Sequence, residues 1–225
     1  MKSLRLLLLA VVGALLTSHA FAQPPVITSI SVKDTGCYYK VGTSTQACSI
    51  GPGMTLIVIG SNFGKTGGGV SLCDCPSATI LKWTPTRVTA VVNGVNPNSG
   101  VALETIAGLW TSSVPYTALG PVITSIVVGS CTYIPNQTPT LCLITPGTQI
   151  TINGSYFGPQ TLYSSVSTCT GCGSATIDSW NPNWLTSPSP YNNQIMATVN
   201  QAACGNTVSI VAGSLGSNFI PYTAC

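Results

Sequence analysis

The sequence predicts an all-β protein: two tandem β-sandwich domains behind a cleaved leader. Three observations carry this. The chain repeats itself: "PPVITSI" at 24–30 returns as "GPVITSI" at 120–126, and "GMTLIVIGSNFG" at 53–64 returns as "GTQITINGSYFG" at 147–158. "SATILKW" at 77–83 and "VPYTA" at 114–118 return in the same order, as "SATIDSW" at 174–180 and "IPYTA" at 220–224. Apolar runs are short, rich in Val, Ile and Thr, and broken by Gly, Pro, Asn or Ser about every ten residues. No helical period follows residue 22.

The leader comes first. Lys2 and Arg5 form a basic start, Leu6 to Leu16 an apolar run, and Ala20-Phe21-Ala22 a small-x-small cleavage site. Residues 1–22 therefore read as a signal peptide. The run is too short for a membrane span, and no other segment of the mature chain reads as one. The expected domains are 23–118 and 119–225, joined through Leu119-Gly120-Pro121.

Cleavage removes Lys2, Arg5 and the single histidine, His19, so the net charge falls from +3 to +1 (3 − 2). Charged residues are 5% of the chain, against roughly 25% in ordinary domains. Such a surface has no field to steer nucleic acid or an ionic substrate. It also lacks the lysines that blunt exposed sheet edges, which leaves self-assembly open.

In the first half the expected strands are 26–32, 54–60, 70–73, 78–83, 87–93, 101–107 and 113–118. Repeat comparison assigns faces. Leu56 and Val58 match Ile150 and Ile152, so they should point inward. Ile57 and Ile59 match Thr151 and Asn153, so they should point outward.

The Pro-x-Ile-x-x-Ile start, the strand ending in "GSNFG" or "GSYFG", the Trp-centred strand and the Tyr-Thr end together resemble the IPT/TIG family. The resemblance covers nearly all of both halves. It implies immunoglobulin-like sandwiches of the early-set type, which occur in receptors, in DNA-binding regulators and as accessory modules of secreted proteins. The extra cysteines depart from the family pattern.

"GSNFGKTGGG" has the look of a phosphate loop, but Gly60 and Gly64 are too close and a strand follows where a helix is needed. Its twin replaces Lys65 with Pro159. The shared part reads as a turn.

All ten cysteines follow the cleavage site, which points to disulfides in an oxidising compartment. The expected pairs are Cys37–Cys48 and Cys131–Cys142, closing matching excursions between the first two strands. Cys73–Cys75 and Cys169–Cys172 would clip local bends. Cys204–Cys225 would seal a final hairpin with its tip at Ser214-Leu215. With no histidine and unequal spacings, no metal site and no cofactor are expected.

No catalytic residues are assigned either. Asp34, Asp74, Glu104 and Asp178 have no twins and form no recognisable pair. Binding residues are sought among those peculiar to one half. Trp110 sits in "AGLWTSS", the expected tip between the last two strands of the first half. In the topology that the resemblance implies, it shares the free pole with the loop holding Phe63 and Lys65. Trp184 and Tyr191 lie in an insertion of the second half that should face the first as a wedge. These five residues are the candidate ligand contacts, since exposed aromatics stack on sugars or anchor protein partners. Asn136 and Asn153 begin possible glycosylation sequons.

The expected function is noncatalytic binding or adhesion at or outside the cell surface, with a protein or glycan partner. A structural subunit of an extracellular assembly and an accessory carbohydrate-binding protein are the alternatives. Localisation is expected to be secreted, extracellular or cell surface, with the periplasm as the alternative in a bacterium.

Overall fold

The computed structural model describes residues 23–72, 78–135, 137, 143–160, 164–168, 174–182, 193–202, 207–212 and 215–222. The expected leader lies outside them. The described chain is all-β, and none of it forms a helix long and apolar enough to cross a membrane.

The first half holds β1 (Val26–Val32), β2 (Cys37–Lys40), β3 (Cys48–Ile50), β4 (Thr55–Ser61), β5 (Gly69–Ser71), β6 (Ala78–Thr84), β7 (Arg87–Val92), β8 (Gly100–Glu104) and β9 (Val114–Ala118). They form two sheets, β2-β1-β4-β7-β6 and β3-β9-β8-β5. Period-two alternation turns Ile30, Leu56, Val58 and Val88 of one sheet toward Ile50, Val101 and Leu103 of the other, all fully buried in one core. The expected faces of the fourth strand hold: Leu56 and Val58 are inside, Ile57 is half-buried and Ile59 is exposed.

Two short strands appear where only an excursion is expected. β2 folds back on β1, pairing Val32 with Cys37 and Ser29 with Lys40. β3 then leaves that sheet and runs parallel to β9, with Cys48 opposite Tyr116. The Cys37–Cys48 disulfide therefore ties an edge of one sheet to an edge of the other. The strand expected over 101–107 stops at Glu104, because Thr105 to Leu109 close a turn. There the Gly108 amide donates to the Thr105 carbonyl at 2.9 Å, and the Thr105 amide donates to the Leu109 carbonyl at 2.9 Å.

The second half holds β10 (Val122–Val128), β11 (Cys131–Tyr133), β12 (Gln149–Ser155), β13 (Ser165–Ser167), β14 (Ser174–Pro182), β15 (Asn193–Val199), β16 (Thr207–Ala212), β17 (Leu215–Gly216) and β18 (Ile220–Pro221). It repeats the first in detail. Ile126 faces Ile152 as Ile30 faces Val58, and a β-bulge sits at Ile123/Ser125 as at Ile27/Ser29. One feature differs. β14 pairs with β15 along its length and with β13 at its start, so hydrogen bonding runs continuously along β11-β10-β12-β15-β14-β13-β16-β17. The final hairpin pairs Val208 with Ile220, one residue off the register that would set residue 204 opposite 225; both cysteines lie outside the described residues.

The GSNFG and GSYFG motifs are fold-making. A Cβ on Gly60 would sit 1.9 Å from the Val26 carbonyl oxygen and 2.6 Å from Phe63 Cζ; on Gly154 it would sit 2.0 Å from the Val122 oxygen and 2.5 Å from Phe157 Cζ. Only glycine lets the first strand and the phenylalanine come so close. Phe63 and Phe157 are buried and meet Trp83 and Trp180 at 6.2 and 6.3 Å between ring centroids, both at 60°. The Trp83 indole N–H donates to the Phe63 carbonyl at 3.2 Å, and that of Trp180 to the Gly158 carbonyl at 2.8 Å. Phe63 therefore cannot contact a ligand, because burial and its tryptophan neighbour hold it in the core.

The Tyr-Thr ends have a matching role. The Tyr116 hydroxyl accepts from the Asn96 amide at 2.9 Å and donates to the Leu72 carbonyl at 2.5 Å; the Tyr222 hydroxyl donates to the Thr168 carbonyl. Each pins a loop to the last strand. Burial raises the Tyr116 pKa above its ordinary value, with the Asn96 backbone hydrogen bond pulling the other way.

The halves meet through a junction the sequence reading did not identify. A Cβ on Gly51 would touch Leu119 Cβ and Tyr156 Cδ1, each at 3.0 Å, and one on Gly158 would meet Pro52 Cβ at 2.7 Å. Tyr156 and Leu215 pack against the first core. The expected wedge, with Trp184 and Tyr191, lies outside the described residues.

Candidate functional site

The second sheet of the first half carries an open groove of about 690 Å³ on its outer face, within the usual range for small-ligand sites. Alternation along β8 builds its floor. Val101 and Leu103 point into the core, so Gly100, Ala102 and Glu104 point out. On the neighbouring β5, Val70 points in and Gly69 and Ser71 point out. The register sets Gly69 beside Glu104 and Ser71 beside Ala102. Four of these five outward positions are thus small, which leaves a shallow, flat bed.

The wall comes from the turn after β8. Trp110 forms an antiparallel bridge with Glu104, and its side chain is 53% exposed. The Thr111 side chain holds this return strand: its hydroxyl accepts from the Leu103 amide at 2.9 Å, and its own amide donates to the Leu103 carbonyl at 2.9 Å. Ser113 stands over Gly100, where a Cβ would come within 2.9 Å of its own Cβ. Asn98 and Ser99 close the far end, in a turn held by the Asn96 side chain accepting from the Asn98 amide at 3.1 Å. The glycine run Gly67-Gly68-Gly69 lets the preceding loop press on β8: a Cβ on Gly68 would lie 1.7 Å from the Glu104 carbonyl oxygen.

Polar groups in the groove are left available. Among the described residues, the Glu104 carboxylate makes no hydrogen bond or ion pair, and the Trp110 indole N–H has no acceptor. Glu104 is the only charged residue among those lining the groove. The other described carboxylates are engaged elsewhere. Asp34 accepts from the Thr55 amide at 2.7 Å; Asp178 accepts from Gln149 at 3.1 Å and Thr198 at 2.8 Å. Among the described residues Glu104 has no acid partner, and a lone carboxylate can orient a ligand but cannot run acid–base cleavage as a pair. No cluster able to hold a metal occurs among the described residues.

Of the five candidate contacts, the structure places Trp110 at the groove. Lys65 is exposed and does not line it. Phe63 is in the core, and Trp184 and Tyr191 lie outside the described residues. Glu104 lines the groove and is not among the five candidates. The signal was present: a hairpin turn centred on Ala107 puts Glu104 opposite Trp110. Asn153 sits mid-strand in β12, donating to Ser125 at 3.1 Å and accepting from Gln194 at 3.0 Å; Asn136 lies outside the described residues. Cys37 and Cys48 are bonded as expected, and Cys131 is disulfide-bonded. Cys73, Cys75, Cys142, Cys169, Cys172, Cys204 and Cys225 lie outside the described residues.

No protein-family model matches the chain, and no curated protein matches it. Among solved structures, a surface glycan-binding protein from Prevotella bryantii aligns with 88% of this chain and 42% of its own, at 15% identity and a TM-score of 0.35. SGBP-B from a complex xyloglucan utilization locus in Bacteroides uniformis aligns with 88% of this chain and 49% of its own, at 14% identity and a TM-score of 0.32. The plexin A4 extracellular region aligns with 92% and 19%, at 13% identity and a TM-score of 0.33. The chain spans less than half the length of each.

Proposed function

We propose that the chain is an exported, noncatalytic binding protein of two IPT/TIG-like domains, 23–118 and 119–225, whose outer-face groove takes a carbohydrate. The observation that carries this is the groove's construction: an exposed indole beside a flat bed of small residues, with an unpaired carboxylate and indole N–H at the same place. A sugar ring has an apolar C–H face that stacks on an indole, and hydroxyls that need acceptors and donors at its edge. Gly69, Ser71, Gly100 and Ala102 leave the room for a ring to lie flat. A protein anchor asks instead for a deep apolar pocket, which this bed lacks. Export rests on the leader pattern and on the disulfide, which persists in oxidising compartments.

A glycan array probed with the purified mature chain tests the reading. Binding confined to one group of related oligosaccharides supports it. A blank array, with a protein partner captured through Trp110, would return the function to protein adhesion.

A further inference from the structure

The groove's electrostatics narrow the ligand class, a step that rests on the carbohydrate reading above. Glu104 is the one charged lining residue among those described, and no cation offsets it. Its cross-strand partner is Trp110. Directly opposed residues of an antiparallel pair hold their Cβ atoms about 4.5–5.5 Å apart on the same face. An indole face attracts a cation, and a carboxylate beside it attracts the same cation. Half-burial of Glu104 in a groove reduces screening by water and salt. A uronic or sialic acid brought onto this bed would meet like charge.

We propose that the groove selects amino sugars carrying a free, protonated amine, with the ring on the small-residue bed and the ammonium between Trp110 and Glu104. The recognition is of ammonium and ring together. An N-acetylated sugar keeps the ring and loses the cation. A lysine side chain keeps the cation and lacks the ring.

Calorimetry on the mature chain at mildly acidic pH tests this with four tetrasaccharides of similar length: deacetylated chitin, chitin, cellulose and a polyuronate. A lysine amide serves as the fifth probe. Deacetylated chitin should bind about tenfold tighter than chitin or cellulose, and the polyuronate weakest. Glu104→Gln keeps the shape and removes the charge; it should erase the preference for the amine, costing deacetylated chitin about tenfold more than it costs cellulose or chitin. Added salt should shrink the preference in the native chain alone. Equal affinity for the amino and neutral sugars overturns the proposal. So does an equal loss for all sugars in Glu104→Gln, which would make Glu104 a hydroxyl acceptor only. Lysine amide binding as tightly as the amino sugar also overturns it. If neutral sugars bind through Trp110 without amine preference, only this inference falls. If no sugar binds, the carbohydrate reading falls with it.

Discussion

Replacing Tyr116 with Phe removes one oxygen and leaves the ring where it is. The ring is buried and its hydroxyl meets the Leu72 carbonyl in the interior, so water cannot replace it at that carbonyl without moving the chain. The lost oxygen accepts from the Asn96 amide at 2.9 Å and donates to the Leu72 carbonyl at 2.5 Å. Both partners are backbone groups in different segments, one before β8 and one after β5. Leaving a buried donor or acceptor unsatisfied costs about 1–3 kcal/mol. With one kcal/mol moving the melting point of a domain this size by roughly 4–8 °C, Tyr116→Phe should melt roughly 4–24 °C lower. Circular dichroism melts of the oxidised chain read this directly. Because Asn96 orders the turn carrying Asn98 and Ser99, hydrogen exchange should also rise across residues 96–99. A melting point within about 1 °C of the native value would refute the claim that this hydroxyl pins the loops.

Three further outcomes are expected. Burial raises the Tyr116 pKa, so the folded chain holds its proton more tightly than the unfolded one; the associated stability is complete below the ordinary value of 10.0 and is lost as pH rises through the raised folded value, which a series of alkaline melts would show. Cys37→Ser with Cys48→Ser opens a loop of sequence separation 11 and unties the two sheet edges, at about 3 kcal/mol in denaturant titration. Gly60→Ala drives a Cβ into the Val26 carbonyl and should cost about 3 kcal/mol or more, whereas Gly64→Ala, which meets nothing within 4 Å, carries only its backbone strain at φ +82 of about 1 kcal/mol; equal losses in urea titrations would contradict the close-approach argument.

Much of the fold was legible because the chain states it twice. Strands β1, β4, β6, β7 and β9 lie within a residue or so of their expected ranges, since each carries an apolar alternation that its twin repeats. β2 and β3 were not legible. Each is only four or three residues long, and β3 takes its partner from β9, far along the chain, which no local pattern reports. Phe63 was legible and misassigned: its twin Phe157 already marked it as part of the shared core. Half of the groove could be read. Trp110 stands out as an unrepeated aromatic at a turn. The bed does not, because Gly100, Ala102 and Glu104 look like a weak strand until β5 is laid beside them. Tyr156 was hidden for a similar reason. It holds a left-handed backbone at φ 60 where its twin is Asn62, and its purpose is visible only once Gly51 and Leu119 are seen against its ring.

The central claim is that the outer-face groove binds a carbohydrate through Trp110. Calorimetric titration of the best array ligand into the native chain, Trp110→Ala and Lys65→Ala tests it most directly. Trp110→Ala should lose about 2 kcal/mol, roughly 30-fold in affinity, with its melting point unchanged, and Lys65→Ala should bind as the native chain does. Undiminished binding by a folded Trp110→Ala chain would contradict the account.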